Sequence, residues 1–318
     1  MESPGDPGWA SGWHSTCRDQ CVMPWRRVLV AFSIVTLIFA QENPVTTFRT
    51  ESNLVSLNVS VFDAEGRIVK GLPQSAFTVF EDNQKQQIKV FRQEDVPISL
   101  GLVIDTSASM LNKRERVNSA ALAMVKASNP DDEVFVIGFN EEAVVTQDFT
   151  SDVKRLESSL RKMESKGETA MRDALSLGLD HLRGHSKKDK RVLLVITDGE
   201  DNSSIQKQEN LVRAAHLSNV IIYGIGILGS EQPDSAQRAK TSLDALTLAT
   251  GGRSWFPNNI ADIEKITPEI AHEIRNQYVI GYTPENSAVT GAFRSIRVEV
   301  NVPNVTVRTR SGYYTRGR

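Results

Sequence analysis

Cysteine is nearly missing from this chain. Two occur in 318 residues, Cys17 and Cys21, and both precede residue 25. A disulfide framework, a zinc knuckle and a cysteine nucleophile are therefore excluded from everything that follows. Histidine is sparse as well, with five in all, and His272-Glu273 is not part of a His-Glu-x-x-His pair. Neither charge dominates. Lys plus Arg number 37 against 39 Asp plus Glu, a net charge of −2, and the basic residues are dispersed, so no face is built for nucleic acid. Neither a Walker loop nor a Gly-x-Ser-x-Gly elbow occurs. What remains is ordinary globular material, 40% hydrophobic and 24% charged, of a length that suggests about two domains.

The N-terminal apolar run is short. Arg26 and Arg27 precede Val28–Ala40, 13 residues without a charge. This is the pattern of a signal peptide and falls below the ~20 residues that span a bilayer. Cleavage is expected after Ala40, with an uncleaved anchor as the alternative. Met23 reads as the initiator, since Met23-Pro-Trp-Arg-Arg is a conventional signal start and residues 1–22 resemble neither n-region nor fold. The mature protein is expected to be exported: secreted, periplasmic or associated with the cell envelope. Contact with a membrane is expected only if the segment stays uncleaved.

Two rhythms alternate beyond residue 40. Residues 41–96 read as four or five short strands, with Val55, Leu57, Val59 and Val61 on one face of the first. Asp63-Ala-Glu-Gly66 reads as a turn, with Arg67–Lys70 as a hairpin partner. Residues 97–276 alternate buried strands with helices, which predicts a doubly wound, mostly parallel sheet covered on both faces. Its elements include an antiparallel edge strand at Ala143–Phe149 and helices at 170–182 and 242–250. Residues 277–318 return to short strands. The two β segments are expected to pair as a sandwich, with the α/β unit inserted between them.

One stretch stands out. The apolar run Leu100–Ile104 stops at Asp105-Thr-Ser107-Ala-Ser109. A strand buried on both faces has no structural use for a carboxylate and two hydroxyls at its end. The carboxyl edge of such a sheet is where open α/β folds bind ligands, and oxygen side chains at alternate positions suit a hard cation. Helix capping by Asp105 or Ser107 is the alternative. Two further stretches are brought to the same edge by the alternation of elements: Gly167-Glu-Thr169, opening a helix, and Thr197-Asp198-Gly199, ending a strand.

These three motifs, in this order, resemble the von Willebrand factor type A domain and its metal-ion-dependent adhesion site over about residues 97–276. Leu54–Val59 with Asp63 and Gly66, Phe77–Asp82, and the terminal Ser311-Gly-Tyr-Tyr resemble a bacterial exported group of type A-related proteins. The resemblance implies five metal-site residues: Asp105, Ser107, Ser109, Thr169 and Asp198. It implies Mg²⁺, with Mn²⁺ or Ca²⁺ as alternatives, and a protein partner that presents an Asp or Glu carboxylate to the ion. Glu168 departs from the family, where a small residue is usual. No His lies in the motifs to act as a base, so the expectation is a binding module and not an enzyme. The alternatives are a metal-assisted phosphoesterase and a purely structural envelope subunit.

Other signals weigh less. Gly224-Ile-Gly-Ile-Leu-Gly229 has dinucleotide spacing, but the polar Ser230–Gln237 with Pro233 follows where the helix should begin. No nucleotide is expected, and the glycines read as close-packing positions. His181 and His185 read as a solvated helix end, Lys187–Arg191 as a solvated loop, and Asn58, Asn202 and Asn304 as sequons without consequence.

Overall fold

The structure, a computed structural model, describes residues 54–93, 95–127, 129–228, 233–285 and 289–315. The expected targeting segment and its cysteines lie outside these residues, as does Gly229.

The chain opens with four strands: β1 (Val55–Phe62), β2 (Phe77–Glu81), β3 (Gln84–Gln86) and β4 (Ile88–Arg92). The α/β layer follows, with β5 (Ile98–Asp105), α1 (Arg114–Lys126), β6 (Glu133–Phe139), β7 (Ala143–Thr150), α2 (Val153–Lys162), α3 (Met171–His185) and β8 (Lys190–Thr197). It continues through α4 (Gln208–Ser218), β9 (Val220–Gly226), α5 (Pro233–Thr250), β10 (Ser254–Trp255) and α6 (Ile263–Arg275). Four strands close the chain: β11 (Tyr278–Tyr282), β12 (Phe293–Val300), β13 (Thr306–Arg308) and β14 (Gly312–Tyr314).

The central sheet runs β10-β9-β8-β5-β6-β7. All of its pairings are parallel except β6 with β7, where the edge strand turns back. Every residue of β5 is buried, as expected of a strand covered on both faces. Leu100, Leu102 and Ile104 share one core with Val117, Met124, Leu156 and Ile270 of the helices α1, α2 and α6. Val103 belongs to a second core, with Ala174 and Leu175 of α3, Leu211 of α4 and Leu243 of α5. Alternation along a single strand thus feeds both layers.

The flanking strands form two four-stranded sheets, β13-β1-β11-β4 and β14-β12-β2-β3. Each takes strands from both ends of the chain. Their inner faces meet in one core containing Leu57, Val59, Val79, Tyr278, Ile280 and Val298. At the junction with the α/β layer, Gln277 Nε2 donates to the Ser60 hydroxyl at 3.0 Å and to Tyr223 Oη at 3.2 Å.

Some local expectations differ from the structure. The segment Arg67–Lys70 makes only an isolated bridge, Phe62 with Ile68, beside the bond from Val69 N to Val61 O; no strand forms there. Helix α5 begins at Pro233, nine residues before the expected start. Proline is well suited to a first helical turn because its missing N–H has no partner to lose there. Lys187–Arg191 is not wholly solvated: Lys190 is buried at the start of β8, and its ammonium donates to the Ile274 carbonyl at the end of α6. The helix end at His181 is covered too. Its ring packs on Phe135 and Phe149, stacks on His185 and meets Asp148 at 2.9 Å. At Gly224, a side chain would come within 2.8 Å of Leu243, so α5 sits directly on β9 there.

Candidate functional site

The carboxyl edge of the central sheet gathers three loops. Asp105 ends β5 with its side chain fully buried. Its Oδ1 accepts from the Ser107 amide at 2.8 Å and its Oδ2 from the Thr197 hydroxyl at 2.6 Å. The chain then turns through a short 3₁₀ segment, Ala108–Met110, held in place by the fully buried Met110. This turn presents two hydroxyls side by side, Ser107 Oγ and Ser109 Oγ, 3.1 Å apart. Ser109 donates to Asp198 Oδ1 at 2.8 Å. The other Asp198 oxygen takes the Lys113 ammonium at 2.5 Å.

The Gly167–Ala170 loop is fastened to the first by main-chain bonds. The Ala108 amide donates to Gly167 O at 3.1 Å and the Lys166 amide to Thr106 O at 2.8 Å. Gly167 has φ +71°, a left-handed turn that favours glycine, and a Cβ on it would make the exposed Glu141 carboxylate swing aside. The same Glu141 oxygen accepts from the Glu168 amide at 3.0 Å. Glu168 itself is exposed to solvent.

Thr169 is buried and tied to the third loop. Its amide donates to Asn202 Oδ1 at 3.0 Å, and its carbonyl accepts from the amides of Asn202 and Ser203. Its hydroxyl lies 3.9 Å from the point where a Gly199 Cβ would stand, beside the Asp198 turn. The structure therefore places all five expected residues at one sheet edge. Ser107, Ser109 and Asp198 are linked through side chains, Asp105 lies beneath them through the Ser107 amide, and Thr169 is set alongside by main-chain bonds.

The neighbouring acidic residues have other work. Asp201 accepts from the Arg172 amide at 2.8 Å and pairs with its guanidinium at 3.2 Å, which fixes the start of α3. Asp173 accepts from the amides of Ile205 and Gln206. A cleft of about 190 Å³ runs beside Gly199, lined in part by Met171, Arg172, Thr197, Glu200 and Arg238.

Burial pushes the Asp105 carboxyl above its ordinary value. Bonds from Ser107 and Thr197 pull it back, and the nearby charge of Asp198 raises it again. A buried carboxylate beside a second carboxylate is a setting that a divalent cation would relieve. The donor set is all oxygen, which suits a hard ion, and bonds from outside the set already orient Asp105. The residues present fit the group.

Sequence reasoning overlooked three contributors. Thr197 appeared only as a motif letter, yet its hydroxyl holds Asp105. Asn202 appeared only as a sequon, yet its amide side chain holds Thr169. Lys113 belongs to none of the three motifs, yet its ammonium meets Asp198. The Thr-Asp-Gly motif carried a signal for the first; the other two depend on loops brought together in space.

Residues 100–200 match the family model of the von Willebrand factor type A domain. Among curated proteins, the chain is similar to an uncharacterized protein of Borreliella burgdorferi, 25% identical over 155 residues, 47% of this chain and 45% of that one. It is also similar to an uncharacterized Synechocystis protein, 28% identical over 109 residues, 33% of this chain and 26% of that one. The chain spans less than half the length of these curated relatives. Among solved structures, it is similar to a von Willebrand factor type A protein from Catenulispora acidiphila, at 12% identity and TM-score 0.47, over 85% of this chain and 76% of that one. It is similar to the PilB minor pilin of Streptococcus sanguinis as well, at 15% identity and TM-score 0.46, over 58% and 62%. The family match, read with the strand order and the helical cover on both faces, makes the inserted layer a von Willebrand factor type A-like α/β domain.

Proposed function

We propose that this chain is an exported, metal-dependent protein-binding module. Domains of the type A family generally mediate protein–protein interaction or adhesion. In this reading, residues 1–40 direct export, residues 97–276 carry the binding site, and residues 41–96 and 277–318 form the flank that supports it.

Asp105, Ser107, Ser109, Thr169 and Asp198 would hold Mg²⁺, or Mn²⁺ or Ca²⁺. When bound, the ion supplies an electrophilic centre for a carboxylate from an Asp or Glu of the partner. The observation that carries the reading is the continuous series Ser107–Ser109–Asp198 above the buried Asp105. Three of the five donors are neutral hydroxyls and the two carboxylates together carry −2, so the set balances a divalent ion without a surplus of negative charge that would repel a partner's carboxylate. Thr197 and the Ser107 amide orient Asp105, Asn202 orients Thr169, and the cleft beside Gly199 gives a partner side chain somewhere to lodge. The hydroxyls and the amide bonded to the two carboxylates orient them, an arrangement suited to positioning an ion rather than to removing a proton from water.

Titration calorimetry with Mn²⁺ and with Mg²⁺ tests the proposal. Asp105→Ala and Asp198→Ala are expected to abolish binding while far-UV circular dichroism is unchanged. Undiminished affinity in both variants would overturn it. Capture of partners from envelope extract is expected to disappear in EDTA.

A further inference from the structure

The candidate site already contains a cation, and that cation belongs to the chain. Lys113 stands immediately before α1, where its carbonyl accepts from the Val117 amide and its own amide donates to Met110 O at 2.9 Å. The base of the side chain is therefore fixed to the same short turn that presents Ser107 and Ser109. Its ammonium reaches Asp198 Oδ2 at 2.5 Å. The Asp198 side chain is wholly buried, while that of Lys113 is 30% exposed. The ion pair thus has one buried partner and one with an open route to solvent.

The other oxygen of that carboxylate accepts from Ser109, which lies 3.1 Å from Ser107. The ammonium consequently sits within one carboxylate's width of the proposed donors. The adjacent Arg114 does not share this role; its guanidinium points to Ser165 Oγ and the Leu160 carbonyl. Among the described residues, Lys113 is the cation paired with a candidate metal ligand.

We propose that Lys113 is a tethered counter-cation that a divalent ion must displace from Asp198. This rests on the metal-binding reading above. Two positive charges cannot share the carboxylate at such separations without strong repulsion. Lysine is suited to the exchange, being a compact point charge on a flexible four-carbon stem that reaches water when it swings away. The lysine-paired form keeps the two carboxylates compatible with folding before metal arrives. Its cost is a reduced apparent affinity, in proportion to the fraction of molecules whose lysine has withdrawn. The chain would then respond over a higher range of metal concentration than its donor set alone dictates.

The test compares wild type with Lys113→Met, which keeps most of the stem without the charge, Lys113→Gln as a second neutral variant, and Lys113→Arg, which keeps a cation. Mn²⁺ affinity is read by calorimetry and thermal unfolding is followed in EDTA and in Mn²⁺. The neutral variants are expected to bind Mn²⁺ roughly tenfold more tightly, which corresponds to a withdrawn fraction of about one in ten in wild type. They are also expected to unfold at lower temperature in EDTA and to recover in Mn²⁺. Lys113→Arg is expected to stay near wild type. If wild type binds Mn²⁺ and the neutral variants bind it equally or more weakly, the counter-cation role is overturned and the metal reading stands. If neither wild type nor the neutral variants bind Mn²⁺, both are overturned.

Discussion

The two ends of the central strands bury charge in different ways. At the amino end, Asp132 accepts from the amides of Ile98 and Asn129 at 2.8 and 2.9 Å, and Arg275 lies 3.6 Å away. Lys190, buried beside it, donates to the last turn of α6, where helix carbonyls are free and the dipole favours a cation. Groups that the fold itself supplies as rigid backbone satisfy these charges. At the carboxyl end, two carboxylates face hydroxyls, which both donate and accept, and one carboxylate is met by a lysine whose side chain is partly exposed. The first arrangement closes on itself. The second leaves hydroxyls and carboxylates facing one another, as the proposed metal site would require. Burial of charge alone therefore does not mark a site; what separates the ends is whether the partners can be exchanged.

This contrast can be broken at either end. The largest effect is expected from Asp198→Ala, with Mn²⁺ binding lost by calorimetry while the fold persists. Gly167→Ala comes next. It places a side chain at φ +71° and on top of Glu141, and is expected to cost about 1–3 kcal/mol in urea unfolding and to weaken metal binding by shifting Thr169.

Near the end of α6, where a carboxyl is buried against side chains instead of backbone, the variant of choice is Glu273→Gln. Burial pushes the Glu273 carboxyl up to about 7, against Arg253 at 3.6 Å, which favours its charged form. The folded state thus holds a proton that the unfolded chain releases near pH 4.5. The resulting stability is complete below that value and is lost as pH rises through about 7. Glu273→Gln is expected to remove this decline, exceeding wild type by about 3 kcal/mol at pH 8 and by little at pH 4. Equal pH slopes for the two proteins in denaturant titrations would contradict this. The smallest effect is expected from Asn202→Ala, which leaves the Thr169 amide without its acceptor. A loss of about 1 kcal/mol and a several-fold weaker Mn²⁺ affinity should follow.

Much of the architecture was legible because it is written in local pattern. The uninterrupted apolar run of β5, the alternation along β1 and the helix–strand rhythm each reflect which face a residue must bury, and the two-faced sheet and paired flanks follow from them. The candidate residues stood out for the same reason: Asp105 and Asp198 are conspicuous only because they interrupt such runs. What was hidden depends on groups far apart in sequence. Nothing near Lys190 announces that the end of α6, 84 residues later, will offer it a carbonyl. Nothing near Lys113 announces that its flexible stem will reach Asp198, 85 residues away. Asn202 looks like any loop asparagine until Thr169 is folded against it. Even the start of α5 was obscured, because its first turns are polar and proline is ambiguous between a loop and a first helical turn.

The flank imposes an order of events on folding. β1 pairs with β11, setting Val55 opposite Tyr282, and β2 pairs with β12, setting Phe77 opposite Val300. Neither sheet can close until the whole α/β layer has emerged, whereas that layer finds all six of its strands within itself. Long loops of this kind make β pairing late and slow. The first four strands must therefore wait with unpaired edges while the binding layer assembles. During that interval their exposed backbone is open to pairing with another chain. A chain stopped near residue 276 would keep its candidate metal ligands yet carry those open edges permanently, and aggregation, rather than loss of binding, would be its first defect.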